Sequence, residues 1–163
     1  MAQWLAHSNQ KLYQARLLLE TFEQASEQKG GEVVAASLLS GLQESVVFQL
    51  LLAYQSYLHE LAEIAHCQEE FYSLAQLLKK VSVATGEMTE LHQLELDNFS
   101  WLSQMQSAFD QCAQKDAIAV SKAVVNPKMI QLQDTTGSSL PLRIWYQELT
   151  NIIDLQRNNR QES

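Results

Sequence analysis

Through its first 126 residues the chain has no proline and only four glycines. Inside a helix proline costs about 3 kcal/mol and glycine about 1 kcal/mol relative to alanine. A chain that omits the first and nearly omits the second keeps long runs of unpunctuated backbone. Leucine, alanine, glutamine and glutamate fill those runs, and all four are good helix formers. The prediction is an all-α fold.

Apolar spacing places the helices. Over residues 2–28, Trp4, Leu5, Leu12, Ala15, Leu19 and Phe22 recur at helical steps on one face. Gly30 and Gly31 then supply a helix stop. A second helix over residues 32–67 carries Val46, Val47, Phe48, Leu50, Leu51, Leu52, Tyr54, Tyr57, Leu58 and Leu61 around its whole circumference. A helix apolar on every side is expected at the centre of the protein, with Gly41 marking a bend or close contact. A shorter helix over residues 69–83 puts Phe71, Leu74, Leu77, Leu78 and Val81 inward and ends near Lys79 and Lys80, where cations suit the helix dipole. Thr85 and Gly86 separate it from a long fourth helix, residues 87–114. Its stripe holds Met88, Leu91, Leu94, Leu102, Met105, Phe109 and Cys112, interrupted by Asn98 as a register-setting polar residue.

After Lys115 the composition changes to β-branched residues, Pro127 and a Thr-Thr-Gly-Ser-Ser run. Residues 116–139 read as a crossover loop, with a short helix near residues 117–125 and a briefly extended stretch at 129–133. A lone strand there has nothing to pair with. The final helix is expected to be capped by Ser138 or Ser139, with Pro141 in its first turn and Leu142, Trp145, Tyr146, Leu149, Ile152 and Ile153 facing inward. The architecture is an up-and-down bundle of four main helices plus a C-terminal one, the second buried centrally. One domain spans residues 1–156, and 157–163 form a polar, frayed tail.

Charge narrows the function. Eleven basic against nineteen acidic residues give a net charge of −8, which disfavours a phosphate backbone as partner. Cys67 and Cys112 form no CxxC pair and read as buried free thiols of a reducing compartment. The opening Met1-Ala2-Gln3-Trp4 has no basic region leading into an apolar run, and the apolar stretch 46–58 is too short to span a bilayer. A cytoplasmic protein with no membrane association is expected.

Short motifs distributed over most of the chain carry a resemblance. Asn9-Gln10-Lys11-Leu12-Tyr13 with Ala15 and Leu17-Leu18-Leu19, the central Leu58-His59-Glu60, and the closing segment from Trp145 to Leu155-Gln156-Arg157 resemble a family of small helical proteins of Pseudomonas and related gammaproteobacteria. The resemblance implies a bacterial helical domain and transfers no activity, ligand or functional residue. The long first helix followed by a buried aromatic-rich one is also similar to HEPN domains. Their ribonuclease members place a histidine four to six residues after an arginine, and neither Arg16 nor Arg143 has one. The chain would be an inactive relative.

One constellation has ligand-like spacing. His59, Glu63 and His66 fall at i, i+4 and i+7, one face of a helix, and Glu63 to His66 matches the Glu-x-x-His of carboxylate-bridged iron bundles. A di-iron site needs that motif twice, and the chain has it once. His92 and Glu95 would complete a lopsided site, with Glu90 turned away. Against this stands a plain reading: Glu60, Glu63, Glu69 and Glu70 face water as the helix emerges, and His59 hydrogen-bonds inside the bundle. His59-Glu60 opens a zincin motif that Glu63 then fails to complete. No glycine-rich phosphate loop or nucleophile constellation accompanies it; Cys67 beside His66 faces elsewhere. Trp4, Trp101 and Trp145 read as packing residues. The expectation is a non-enzymatic interaction or scaffold protein without catalytic residues or cofactor, working with an unknown protein partner or as a homodimer. The alternatives are a metal-binding bundle using His59, Glu63 and His66, or an inactive HEPN-like module.

Overall fold

The structure, a computed structural model, describes residues 2–27, 33–114 and 140–163. Gly30, Gly31, the crossover at 116–139 and the caps expected at Ser138 or Ser139 lie outside the described residues. Within them the fold is all-α. Six helices follow one another: α1 Ala2–Glu27, α2 Val33–Ile64, α3 Leu74–Lys80, α4 Gly86–Leu96, α5 Trp101–Ala113 and α6 Leu142–Glu162.

Three helix starts follow local chemistry. Ser73, Thr85 and Ser100 each hold an extended backbone and accept a side-chain hydrogen bond from the N–H three residues on, at Gln76, Met88 and Ser103. Gln76 also reaches back past the cap and accepts from the Tyr72 N–H at 2.8 Å, fixing the chain as it enters the helix. Pro141 precedes α6 without a side-chain cap.

The predicted fourth helix is in fact two. Asp97 Oδ1 accepts the Phe99 N–H at 3.0 Å, the Ser100 N–H bonds the Asp97 carbonyl, and Ser100 restarts the helix. Local side-chain bonds from Asp and Ser offer the backbone an alternative to the helical ladder. Asn98 therefore lies in an exposed turn, not in a packed seam.

The core gathers the predicted faces: Leu12, Ala15 and Leu19 from α1, Val46 to Ala62 from α2, Leu74 and Leu77 from α3, Met88 and Leu91 from α4, Leu102 and Met105 from α5, and Leu142, Trp145, Leu149 and Ile153 from α6. α2 runs along α1 and touches α5 and α6. Its central position holds only for its C-terminal half. Residues 36–38, Gly41 and Phe48 are exposed, and a Cβ added at Gly41 would meet open space, so that glycine marks no close contact. By length and composition Ala36–Ile64 is long and apolar enough to cross a membrane, contrary to the reading from the shorter stretch 46–58. α6 also departs from expectation. It stays helical through Glu162, and the segment read as a frayed tail carries Arg157 and Arg160 into ion pairs with Glu60.

Candidate functional site

The C-terminal end of α2 meets the start of α1 and the end of α6. The helix stops after Ile64 in a Schellman motif: the Cys67 N–H bonds the Ala62 carbonyl at 2.9 Å and the His66 N–H bonds that of Glu63 at 3.1 Å. His66 sits at the left-handed position, with φ of 57°, where a side chain costs about 1–2 kcal/mol. His66→Gly is expected to stabilise the protein by about 1 kcal/mol in urea unfolding. Loss of stability instead would show that the imidazole makes an attractive contact worth more than the strain.

This stop breaks the i, i+4, i+7 register of His59, Glu63 and His66, because His66 is no longer on the helix. The three still line one concavity of 440 Å³ together with Trp4, Cys67 and Phe71. Among the described residues, however, no group of three His, Cys, Asp or Glu side chains is placed to hold a metal ion. The His59 ring is stacked on Trp4, centroids 4.3 Å apart, and its centroid lies 4.4 Å from that of the tilted Phe71 ring. Glu95 accepts from Tyr54 at 3.0 Å and from Gln106 at 2.7 Å. Burial, reinforced by the Glu95 charge, pushes the Tyr54 hydroxyl well above its usual range. Cys67 is half-buried past the helix end and Cys112 is exposed, so neither is a core thiol; both are free.

Burial, with Trp4 and Phe71 packed against the ring, lowers the His59 pKa from its ordinary 6.5; Glu63 opposes that shift and His7 adds to it. The unfolded chain therefore binds this proton first as pH falls. The associated stability is complete above pH 6.5 and declines below it until the folded imidazole titrates. Thermal melting of the protein is expected to fall more steeply than that of His59→Phe between about pH 7 and pH 5. Parallel curves would mean that the ring is no harder to protonate in the fold.

Beside His59 on α2, Glu60 turns the other way and is 5% exposed, not in water as the sequence reading placed it. Arg157 grips it with both ends of its fork, Nε to Oε1 at 3.1 Å and Nη2 to Oε2 at 2.8 Å. Arg160 Nη2 adds a bond to Oε1 at 3.2 Å. The network spreads outward. Arg157 also donates to Ser8 and Asn9 of α1, each at 2.8 Å. Arg160 donates to the Tyr57 hydroxyl at 3.2 Å and lies 3.5 Å from Glu87 of α4. The Tyr57 hydroxyl donates to Gln156 at 2.6 Å, and Gln156 donates to Glu90 at 2.9 Å. Four helices are thus joined through one carboxylate.

Burial pushes the Tyr57 hydroxyl up to about 12, with Arg160 opposing and Glu60 and Glu87 adding to the rise. Burial works against the Arg160 charge, but the Tyr57 hydrogen bond and the nearby carboxylates outweigh it and raise its pKa. Tyr57 therefore stays neutral at physiological pH, and both Glu60 oxygens are occupied by guanidinium donors. With both of its oxygens taken up by guanidinium donors, Glu60 holds the helices together. Sequence reading missed it because its parts lie 97 residues apart; the available signal was the pair Arg157 and Arg160, three apart on the same helical face as Ile153.

Alongside this network lies a second concavity, of 320 Å³, lined by Leu5, Ile64, Glu63, His66 and Gln161 together with Glu60, Arg157 and Arg160 of the network itself. Leu5 and Ile64 are 42% and 45% exposed. Glu63 and His66 line both concavities, so the two share the end of α2 as a common rim.

No curated protein and no solved structure matches the chain. A family model does match, over the whole of residues 1–163, and the chain belongs to that family, a family of unknown function (DUF6586).

Proposed function

We propose that this protein is a non-enzymatic interaction module that receives a segment of a second protein at the end of α2. The observation that carries the reading is the pair Leu5 and Ile64, both more than two-fifths exposed and both lining one 320 Å³ concavity. Single exposed apolar residues are ordinary on protein surfaces; two that share a concavity edged by charged groups have the make-up of an interface. The neighbouring 440 Å³ concavity, with half-buried Trp4 on its wall, extends the surface beyond one side chain. The Glu60 network supplies a rigid base beneath it.

A second copy of the chain fits this surface poorly. A two-fold contact sets the same patch of each molecule against its copy, so the acidic rim at Glu63 would be brought together twice between molecules of net charge −8. A photo-cross-linking residue placed at Ile64 in the native host should capture one defined protein, identified by mass spectrometry, while the same residue at Phe48 should not. Self-cross-linking at Ile64 would replace the reading with a homodimer. Equal products from both positions would end it.

A further inference from the structure

Resting on the docking surface just described, we infer that its occupant is a cationic, apolar segment: an apolar side chain seated on Leu5 and Ile64, with lysine or arginine flanking it on Glu63 and Glu70. Several charges at this end of the bundle are already matched. Arg157 and Arg160 face Glu60 and Glu87, so that cluster is neutral as a set. Glu69 lies 3.9 Å from Lys80, whose ammonium also donates to the Glu70 main-chain carbonyl, so one lysine stands against two neighbouring carboxylates. Glu63 and Glu70 make no ion pair among the described residues. Glu63 lies on the common rim of the two concavities, and Glu70 lines the larger one beside Phe71 and Trp4.

Among the described residues the charge left without an ion pair at this surface is therefore negative: Glu63 borders Leu5 and Ile64, and Glu70 lines the neighbouring concavity. The two arginines do not turn it into an anion site, because their strongest donors are committed to Glu60, Tyr57, Ser8 and Asn9. An acidic partner would meet the carboxylates of Glu63 and Glu70 as well as the net charge of −8; a basic one gains both locally and in its approach.

The test uses the full chain and three synthetic amphipathic peptides of equal length: leucine with lysine, leucine with glutamine, and leucine with glutamate. Amide shifts in NMR titrations locate binding, and calorimetry at two salt concentrations gives affinity. The leucine–lysine peptide is expected to shift Leu5, Glu63, Ile64 and Glu70, and to bind more tightly than the glutamine peptide. Glu63→Gln/Glu70→Gln should weaken it roughly tenfold at low salt and flatten its salt dependence. Ile64→Asn should weaken all binding at this site. Both sets of changes are at the surface, so the variants keep the fold, and their melting checks this. Shifts scattered over the whole acidic surface and unchanged in Glu63→Gln/Glu70→Gln would overturn the inference. Equal binding of the glutamine or glutamate peptide at Leu5 and Ile64 would overturn the cationic class while leaving the docking surface in place. If none of the peptides shifts Leu5 or Ile64, the cationic assignment falls, and the cross-link at Ile64 alone decides whether the surface docks a partner.

Discussion

Glu60→Ala is expected to destabilise the protein by about 3–5 kcal/mol, or roughly 6–20 °C in melting temperature. The side chain removed is small; what it leaves behind is not. Arg157 and Arg160, whose side chains are 14% and 21% exposed, would keep their charges in a partly dry site with their main acceptor gone. Glu60→Gln preserves the shape and is expected to be nearly as harmful, because an amide offers one oxygen where three guanidinium bonds converge and turns an N–H₂ toward N–H donors. The instructive comparison is Glu60→Leu/Arg157→Met/Arg160→Met, which removes all of these charges together. Desolvation of buried ion pairs offsets most of their attraction, so this variant should return to within about 1 kcal/mol of the starting protein or exceed it. Urea unfolding separates the cases. A triple variant as weak as Glu60→Ala would mean that the network attracts by more than its burial costs.

How much of this was legible depended on how local the cause is. The caps at Ser73, Thr85 and Ser100 are written in three or four adjacent residues, and the stripes of α1, α5 and α6 follow from periodicity alone. Even the break between α4 and α5 was written in Asp97 to Ser100, where turn chemistry outcompeted a continuous apolar stripe. Leu5 marks the limit of such reasoning. It falls seven residues before Leu12 and fourteen before Leu19, on the same stripe, yet only the latter two are buried. Periodicity tells which way a side chain points; it does not tell whether a neighbour reaches that end of the bundle. Glu60 marks the opposite error. The thinning of apolar residues after Leu61 suggested water, while the partners that bury the carboxylate come from the last helix. The His59, Glu63, His66 spacing required a helix that continues to residue 66, and nothing in the spacing itself announces the stop at Ile64.

Trp145→Ala should cost about 3–5 kcal/mol as well, for the separate reason that it opens a cavity. Trp145 is 2% exposed among Leu142, Leu149 and Ile153 of its own helix and the core they join. Trp4 and Trp101 are half-buried, so the change should also remove the bluest part of the tryptophan emission. Twelve residues of helix, about 18 Å, separate Trp145 from Arg157. At that distance the cavity and the stranded arginines share no atoms, and their costs should add within about 0.5 kcal/mol. Together they approach the whole stability of a typical domain, about 5–15 kcal/mol. Trp145→Ala/Glu60→Ala is therefore expected to lose cooperative melting at room temperature, although each change alone leaves a folded protein. That outcome would establish that α6 is fixed at both ends, by apolar burial at its start and by the Glu60 clasp near its finish. A double variant that still melts cooperatively with a helical far-ultraviolet spectrum would show that at least one of the two anchors contributes far less than its burial implies.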